Sequence, residues 1–212
     1  MEFNPIFADP EGDVTEESKR FVLAAEYSKE ELLSFGLSST DIDFDEEYFG
    51  KDELTKLRDL WTDTLYLSEL YNTNLSKFDA PYWQNITEEE FITDTIASAP
   101  HIFKELENKF NNGTIDDLFE SLHKNGDAGG SAYSVKSKFG KIKRRYAFRI
   151  YAIKIDIGCY IITGGTIKLT EAMQGDRAYN TKIELKKINH VFKSIGGSDI
   201  DNKGTFFDFI LD

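Results

Sequence analysis

Two β-rich runs meet at one tight turn late in the chain, and few folds accommodate that pattern. Residues 144–155 read RRYAFRIYAIKI and residues 159–169 read CYIITGGTIKL. Both are rich in β-branched and aromatic residues, and the Asp156-Ile157-Gly158 step between them has turn chemistry. The runs predict an antiparallel hairpin, bent at Gly164-Gly165 by a bulge. Alternation along the first run puts Arg149, Tyr151 and Ile153 on one face and Phe148, Ile150 and Ala152 on the other.

The flanks extend this core. SAYSVKSKF (131–139) alternates as a further strand, and from Ala178 to Ser194 the pattern is helical. Ile183, Ile188, Val191, Phe192 and Ile195 form the apolar side of that helix. Lys182, Lys186 and Lys193 lie near one another on another side.

Upstream the texture is different. Phe21, Val22, Ala25, Leu32 and Leu33 fit a helical stripe, ended by Gly36. From about Asp52 to Tyr71 the leucines predict one long helix. Thr87 with Glu90 is a capping box opening a helix through Ile96. Pro100 suits the first turn of a next helix running to Phe110. Thr114 with Asp117 opens a short helix through Leu122. Three glycines in NGDAGG (125–130) make a joint. The expected fold class is therefore α+β: an acidic all-helical region over residues 1–124, then a small antiparallel β module closed by a helix over residues 131–212.

Charge divides along the same line. Residues 131–196 carry 14 Lys/Arg against four Asp/Glu, a net of +10, whereas residues 1–130 carry 10 against 30, a net of −20. A basic module fits a polyanion such as RNA, and an acidic neighbour in the same chain competes for that surface. The same asymmetry also suits docking of the basic part on the acidic part.

Other chemistries find little footing. The single cysteine, Cys159, excludes an internal disulfide and a cysteine zinc site, and its apolar strand predicts a buried thiol. His101, His123 and His190 share no ligand spacing. The acidic run from Asp41 has Glu46 and Asp52 where a calcium loop needs Gly and Glu. No cofactor and no metal are expected. The first residues have neither a basic nor an apolar leader region, and no apolar run spans a membrane, so the expected location is the cytoplasm.

The densest basic and aromatic cluster is KIKRRYAFRIYAIK (141–154). Lys141, Lys143, Arg144, Arg145 and Tyr151, with Arg177, Lys182 and Lys186, are the candidate nucleic-acid contacts. An arginine inside so apolar a strand needs a carboxylate, a phosphate or an open face. Arg149 and Lys168 approach one another across the hairpin and suit a phosphate. A structural salt bridge from Arg149 to Glu171 or Glu184 is the competing reading.

FRIYAIKIDIGCYIITGGTIKLTEAM, followed by a helix, resembles the core of the RelE/HigB/ParE-type toxins over residues 132–196. There an arginine-bearing strand turns into an apolar strand, which ends in a Gly-hydrophobic-x-Lys-like segment before a basic helix. The resemblance implies metal-independent cleavage of mRNA on the ribosome, with Arg149 as the strand arginine and Lys168 as the following cation. No tyrosine follows Lys168 closely, which leaves Tyr179 as the candidate third catalytic residue. An RNA or ribosome partner and an antitoxin-like protein partner follow from the same resemblance. The alternative is a non-catalytic RNA-binding or protein-interaction domain, its basic module docked on the acidic half.

Overall fold

The computed structural model describes residues 1–9, 19–38, 40, 45–79, 81, 83, 85–121, 132–136, 148–169, 179–197 and 206. Within them a six-stranded mixed sheet lies between two helical layers. The strands are β1 (Glu2–Asp9), β2 (Arg20–Glu26), β3 (Phe119–Ser121), β4 (Ala132–Lys136), β5 (Phe148–Asp156) and β6 (Cys159–Ile167), in the spatial order β1-β2-β6-β5-β4-β3. Every neighbour pair is antiparallel except β2 with β6, which runs parallel.

The α+β class and the β4–β5–β6 meander followed by a helix agree with the sequence. The first 26 residues do not. Phe21 to Ala25 form a central strand rather than a helical stripe. Their side chains are buried on both faces, with Val22 and Ala24 in one core and Phe21, Leu23 and Ala25 in the other. A strand covered on both sides reads as an unbroken apolar run and mimics part of a helix. Only the next segment is helical, α1 (Lys29–Ser34), opened by a Ser28/Glu31 capping box. The edge strand β1 carries Pro5 at a register irregularity, where a missing N–H costs no ladder bond.

The helical layer differs in its breaks. The helix expected from Asp52 to Tyr71 is two: α2 (Glu53–Leu60), capped by Asp52, and α3 (Thr64–Thr73), capped by Asp63. A short turn, α4 (Leu75–Phe78), follows. The two helices expected on either side of Pro100 are one, α5 (Glu88–Asn111). Pro100 lies on its exposed face, so water can take the carbonyl that the proline leaves without a donor. The short helix expected through Leu122 is a single 3-10 turn at Ile115–Asp117 that feeds β3.

One core packs α2, α3 and α5 on the sheet through Trp61, Phe91, Ile102 and Leu106 against Val22, Phe148, Ile150 and Ile162. The other packs the last helix, α6 (Tyr179–Ser194), through Ile183, Ile188 and Val191 against Leu23, Tyr151, Ile153 and Ile161. Residues from both sides of the expected joint thus share the sheet and both cores. The joint itself, 125–130, and the tail apart from Phe206 lie outside the described residues.

Candidate functional site

The hairpin fixes the geometry of the expected site. Register continues from Arg149↔Thr166 through Ile150↔Gly165 to Tyr151↔Gly164, then slips as Thr163 bulges out. Tyr27 donates its hydroxyl to the Thr163 carbonyl at 2.8 Å, which fixes the bulge to the end of β2. On the other side Arg149 stands opposite Lys136 of β4. Lys136, Arg149 and Thr166 therefore form one row across three strands, with Lys168 two residues beyond Thr166.

Arg149 is only 9% exposed. It alternates with Phe148 and Ile150 of the α5-side core, so it faces the α6 side with Tyr151 and Ile153. Its buried Nε has no hydrogen-bond partner, and its guanidinium makes no ion pair among the described residues. The salt bridge to Glu184 is not formed; Glu171 lies outside the described residues. Arginines this deeply buried are ordinarily paired.

A buried ion network lies next to this row, and no local pattern announces it. Two i,i+3 helix pairs, Glu53/Lys56 and Glu184/Lys187, turn inward and meet. Glu53 accepts from Lys56 Nζ at 2.8 Å and from Lys187 Nζ at 2.9 Å, and Lys187 also reaches Glu184 at 3.1 Å. All four side chains are at most 7% exposed. The ammonium of Lys187 also stands over the Tyr27 ring, 5.6 Å from its centroid. Burial, and next the Glu53 carboxylate, hold the Tyr27 phenol well above its ordinary pKa. The double glycine makes room for this network. A Cβ on Gly164 would overlap the Glu184 carboxylate and lie 3.2 Å from Glu53 Oε2.

The other expected site residues scatter. Tyr151 is buried at 3% exposure, so it offers no stacking face for a base. Lys182 and Lys186 are exposed, although Lys186 spends one donor on the Phe35 carbonyl at 2.6 Å. Lys168 is half-buried at the end of β6. Tyr179 opens α6, and its side chain lies outside the described residues, as do Lys141, Lys143, Arg144, Arg145 and Arg177 entirely. Cys159 is buried, as its strand predicts. No group of metal-ligating side chains occurs among the described residues, nor a helix long and apolar enough to cross a membrane.

The acidic part grips the hairpin from its far end. Asp116, in the 3-10 turn, accepts from Gly158 N at 2.9 Å, from the Tyr160 hydroxyl at 2.7 Å and from Lys154 at 2.5 Å. Burial works against its ionised form, but the bonds from Lys154, Tyr160 and Gly158 outweigh it and hold the pKa below the usual carboxylate value. A depressed folded pKa stabilises fully above the unfolded value of about 3.9, and that contribution fades as pH falls through the folded value. Asp116→Asn should therefore lower the melting temperature at pH 7 and lose less on acidification than the parent. Melting curves from pH 7 to pH 2 check this; parallel curves would show that Asp116 is not bonded as an anion.

No protein-family model, no curated protein and no solved structure matches the chain.

Proposed function

We propose that the protein acts on RNA in the manner of the RelE/HigB toxins, as a metal-independent endoribonuclease whose phosphate-binding group is Arg149. The supporting observation is the state of Arg149: nine-tenths buried, with its Nε unbonded and no carboxylate on its guanidinium among the described residues. A buried cation without a counter-charge is costly, and an arriving phosphate relieves that cost. The backbone register sets Lys136 of β4 opposite Arg149, and Lys168 follows two residues beyond Thr166, the partner of Arg149 on β6. The strand–turn–strand–helix order on which the resemblance rests is present as β5, β6 and α6.

In this scheme the 2′-oxygen of a ribose attacks the adjacent phosphorus and the 5′-oxygen leaves. The products are a 2′,3′-cyclic phosphate and a free 5′-hydroxyl. Arg149 and Lys168 carry the charge that builds on the phosphoryl oxygens. Tyr179 takes the 2′-hydroxyl proton, and a proton from solvent reaches the leaving oxygen.

A second reading has an observation of its own. Among the described residues, cationic and imidazole side chains of the basic segment bond the acidic one at Lys154–Asp116, Lys187–Glu53, His190–Glu31 and Lys186 to the Phe35 carbonyl. These favour a domain in which the basic part serves mainly to dock on its own chain.

The two readings part in one experiment. The full chain is incubated with translating ribosomes and with naked mRNA, and cleavage is mapped by primer extension. The first reading expects cleavage that survives chelation on the naked RNA and falls about 100–1,000-fold in Arg149→Ala. Intact RNA with both proteins, at concentrations where Arg149→Ala melts like the parent, favours the docking reading.

A further inference from the structure

Arg149 and the start of α6 call for the same kind of partner. Three anchors fix the course of α6. His190 bonds Glu31 of α1 at 2.7 Å, and Lys187 stands over the ring of Tyr27, just past the end of β2. One turn earlier the Glu184 carboxylate lies over Gly164 of β6. Followed toward its N-terminus, the helix thus leaves α1 and the end of β2 and crosses β6 onto β5, the two strands on which it packs. The turn before Glu184 is its first, residues 179–182. One turn advances about 5.4 Å along the axis, and Gly164 pairs across the hairpin with Tyr151 of β5. That carries the first turn over β5, on the face to which Arg149 points, two residues along from Tyr151.

The charges that meet there are positive. The first N–H groups of a helix have no partner within it, and the helix dipole adds about half a positive charge at that end. The turn, Tyr179-Asn180-Thr181-Lys182, has no acidic residue to answer it. Glu184, the first acidic residue of α6, sits over Gly164 and bonds Lys187 at 3.1 Å. On the sheet side is a guanidinium only 9% exposed, its Nε unbonded and without an ion pair among the described residues. A helix N-terminus stabilises an anion and offers a buried cation nothing.

We propose that Arg149 and the first-turn amides of α6 form one oxyanion site, which takes a phosphate group between the sheet and the helix. The proposal rests on the phosphate-binding role given to Arg149 above and adds a second wall to it. The guanidinium donates from the sheet and the amides of residues 179–182 donate from the helix, and a tetrahedral phosphate has oxygens for both. Tyr179 opens the same turn, so the phosphate is brought beside the residue given the proton-accepting role. An RNA backbone and a small phosphorylated molecule share this chemistry.

The full chain is titrated with sodium phosphate, against sodium chloride of equal ionic strength, and separately with a short oligouridylate. The backbone amides of residues 179–182 and the Arg149 Nε–H are followed by nitrogen-edited NMR, the latter assigned by its loss in Arg149→Gln. Melting temperature is read in the same buffers. Phosphate should move both sets of signals with one dissociation constant and raise the melting temperature. Arg149→Gln should weaken phosphate binding about 10- to 100-fold, the loss expected for hydrogen bonds to a charged group. It should melt no lower than the parent in chloride, because it removes a buried charge without a counter-ion. Thr181→Asp builds a carboxylate into the first turn, and should raise the melting temperature in chloride while abolishing the response to phosphate. Phosphate that moves the Arg149 signal and leaves the 179–182 amides in place overturns this proposal and spares the role of Arg149. If neither ligand moves the Arg149 signal, that role fails and the shared site fails with it. Movement of both sets of signals by oligouridylate assigns the site to RNA. A response to phosphate alone supports the two-walled site and overturns the ribonuclease reading.

Discussion

Gly164→Ala is expected to destabilise the protein by roughly 3–5 kcal/mol, a large share of what a domain of this size has to spare. Two effects add. Gly164 has φ of +152°, where an L side chain is strained, at about 1–3 kcal/mol. Its Cβ would also fall on the Glu184 carboxylate and beside Glu53 Oε2 at 3.2 Å. Those groups cannot move aside freely, because Lys187 and Lys56 fix them in a buried site. Gly50 supplies the control. It too has positive φ, +78°, but the nearest atom to a new Cβ is Glu26 Oε1 at 4.0 Å. Gly50→Ala should cost only the backbone term, about 1–2 kcal/mol. Urea unfolding of both variants measures the difference. Equal losses would mean that the carboxylates at Gly164 are free to leave and that the ion network is not fixed in place.

Much of the C-terminal architecture can be read from the residues, because its determinants are local. The turn at Gly158, the bulge near Gly164-Gly165 and the apolar side of α6 each depend on neighbours within a few positions. The same holds for the Thr87/Glu90 capping box. What escapes is long-range. Nothing in RFVLAAE announces that it will run parallel to CYIITGGTI some 140 residues later, and five consecutive apolar residues suit a helix as well as a doubly covered strand. Asp63 is one aspartate among many until Tyr48 and the α3 amides are seen to bond it. Arg149 is legible in the sequence as an arginine that is costly to bury, and the structure leaves it 9% exposed. Glu184, one of the two carboxylates expected to pair with it, bonds Lys187 at 3.1 Å. Glu53/Lys56 and Glu184/Lys187 are i,i+3 pairs, a spacing that by itself does not tell a solvated pair from a buried one. Only the packing of α2 and α6 at the ends of β2 and β6 turns all four inward.

Glu53→Gln should show how strongly that network is bound. Glu53 is 1% exposed, and both of its oxygens are committed to lysines, Lys56 at 2.8 Å and Lys187 at 2.9 Å. Glutamine keeps the shape and loses the charge, so two buried ammonium groups would each lose a carboxylate partner. Removing one partner of a buried ion pair typically costs 3–5 kcal/mol, because the surviving charge stays desolvated. The retained shape and a carbonyl acceptor put the expectation near the lower end, at about 3 kcal/mol. An exposed pair of similar length gives the comparison: Lys51–Asp59, at 2.7 Å, has side chains 31% and 37% exposed. Lys51→Met should cost under about 1 kcal/mol, since water already screens that pair. Chemical denaturation of the two variants at pH 7 separates burial from distance as the source of stability. Should Glu53→Gln cost no more than Lys51→Met, water reaches the Lys56–Glu53–Lys187–Glu184 chain, and the bond between α2 and α6 does not have the strength assigned to it.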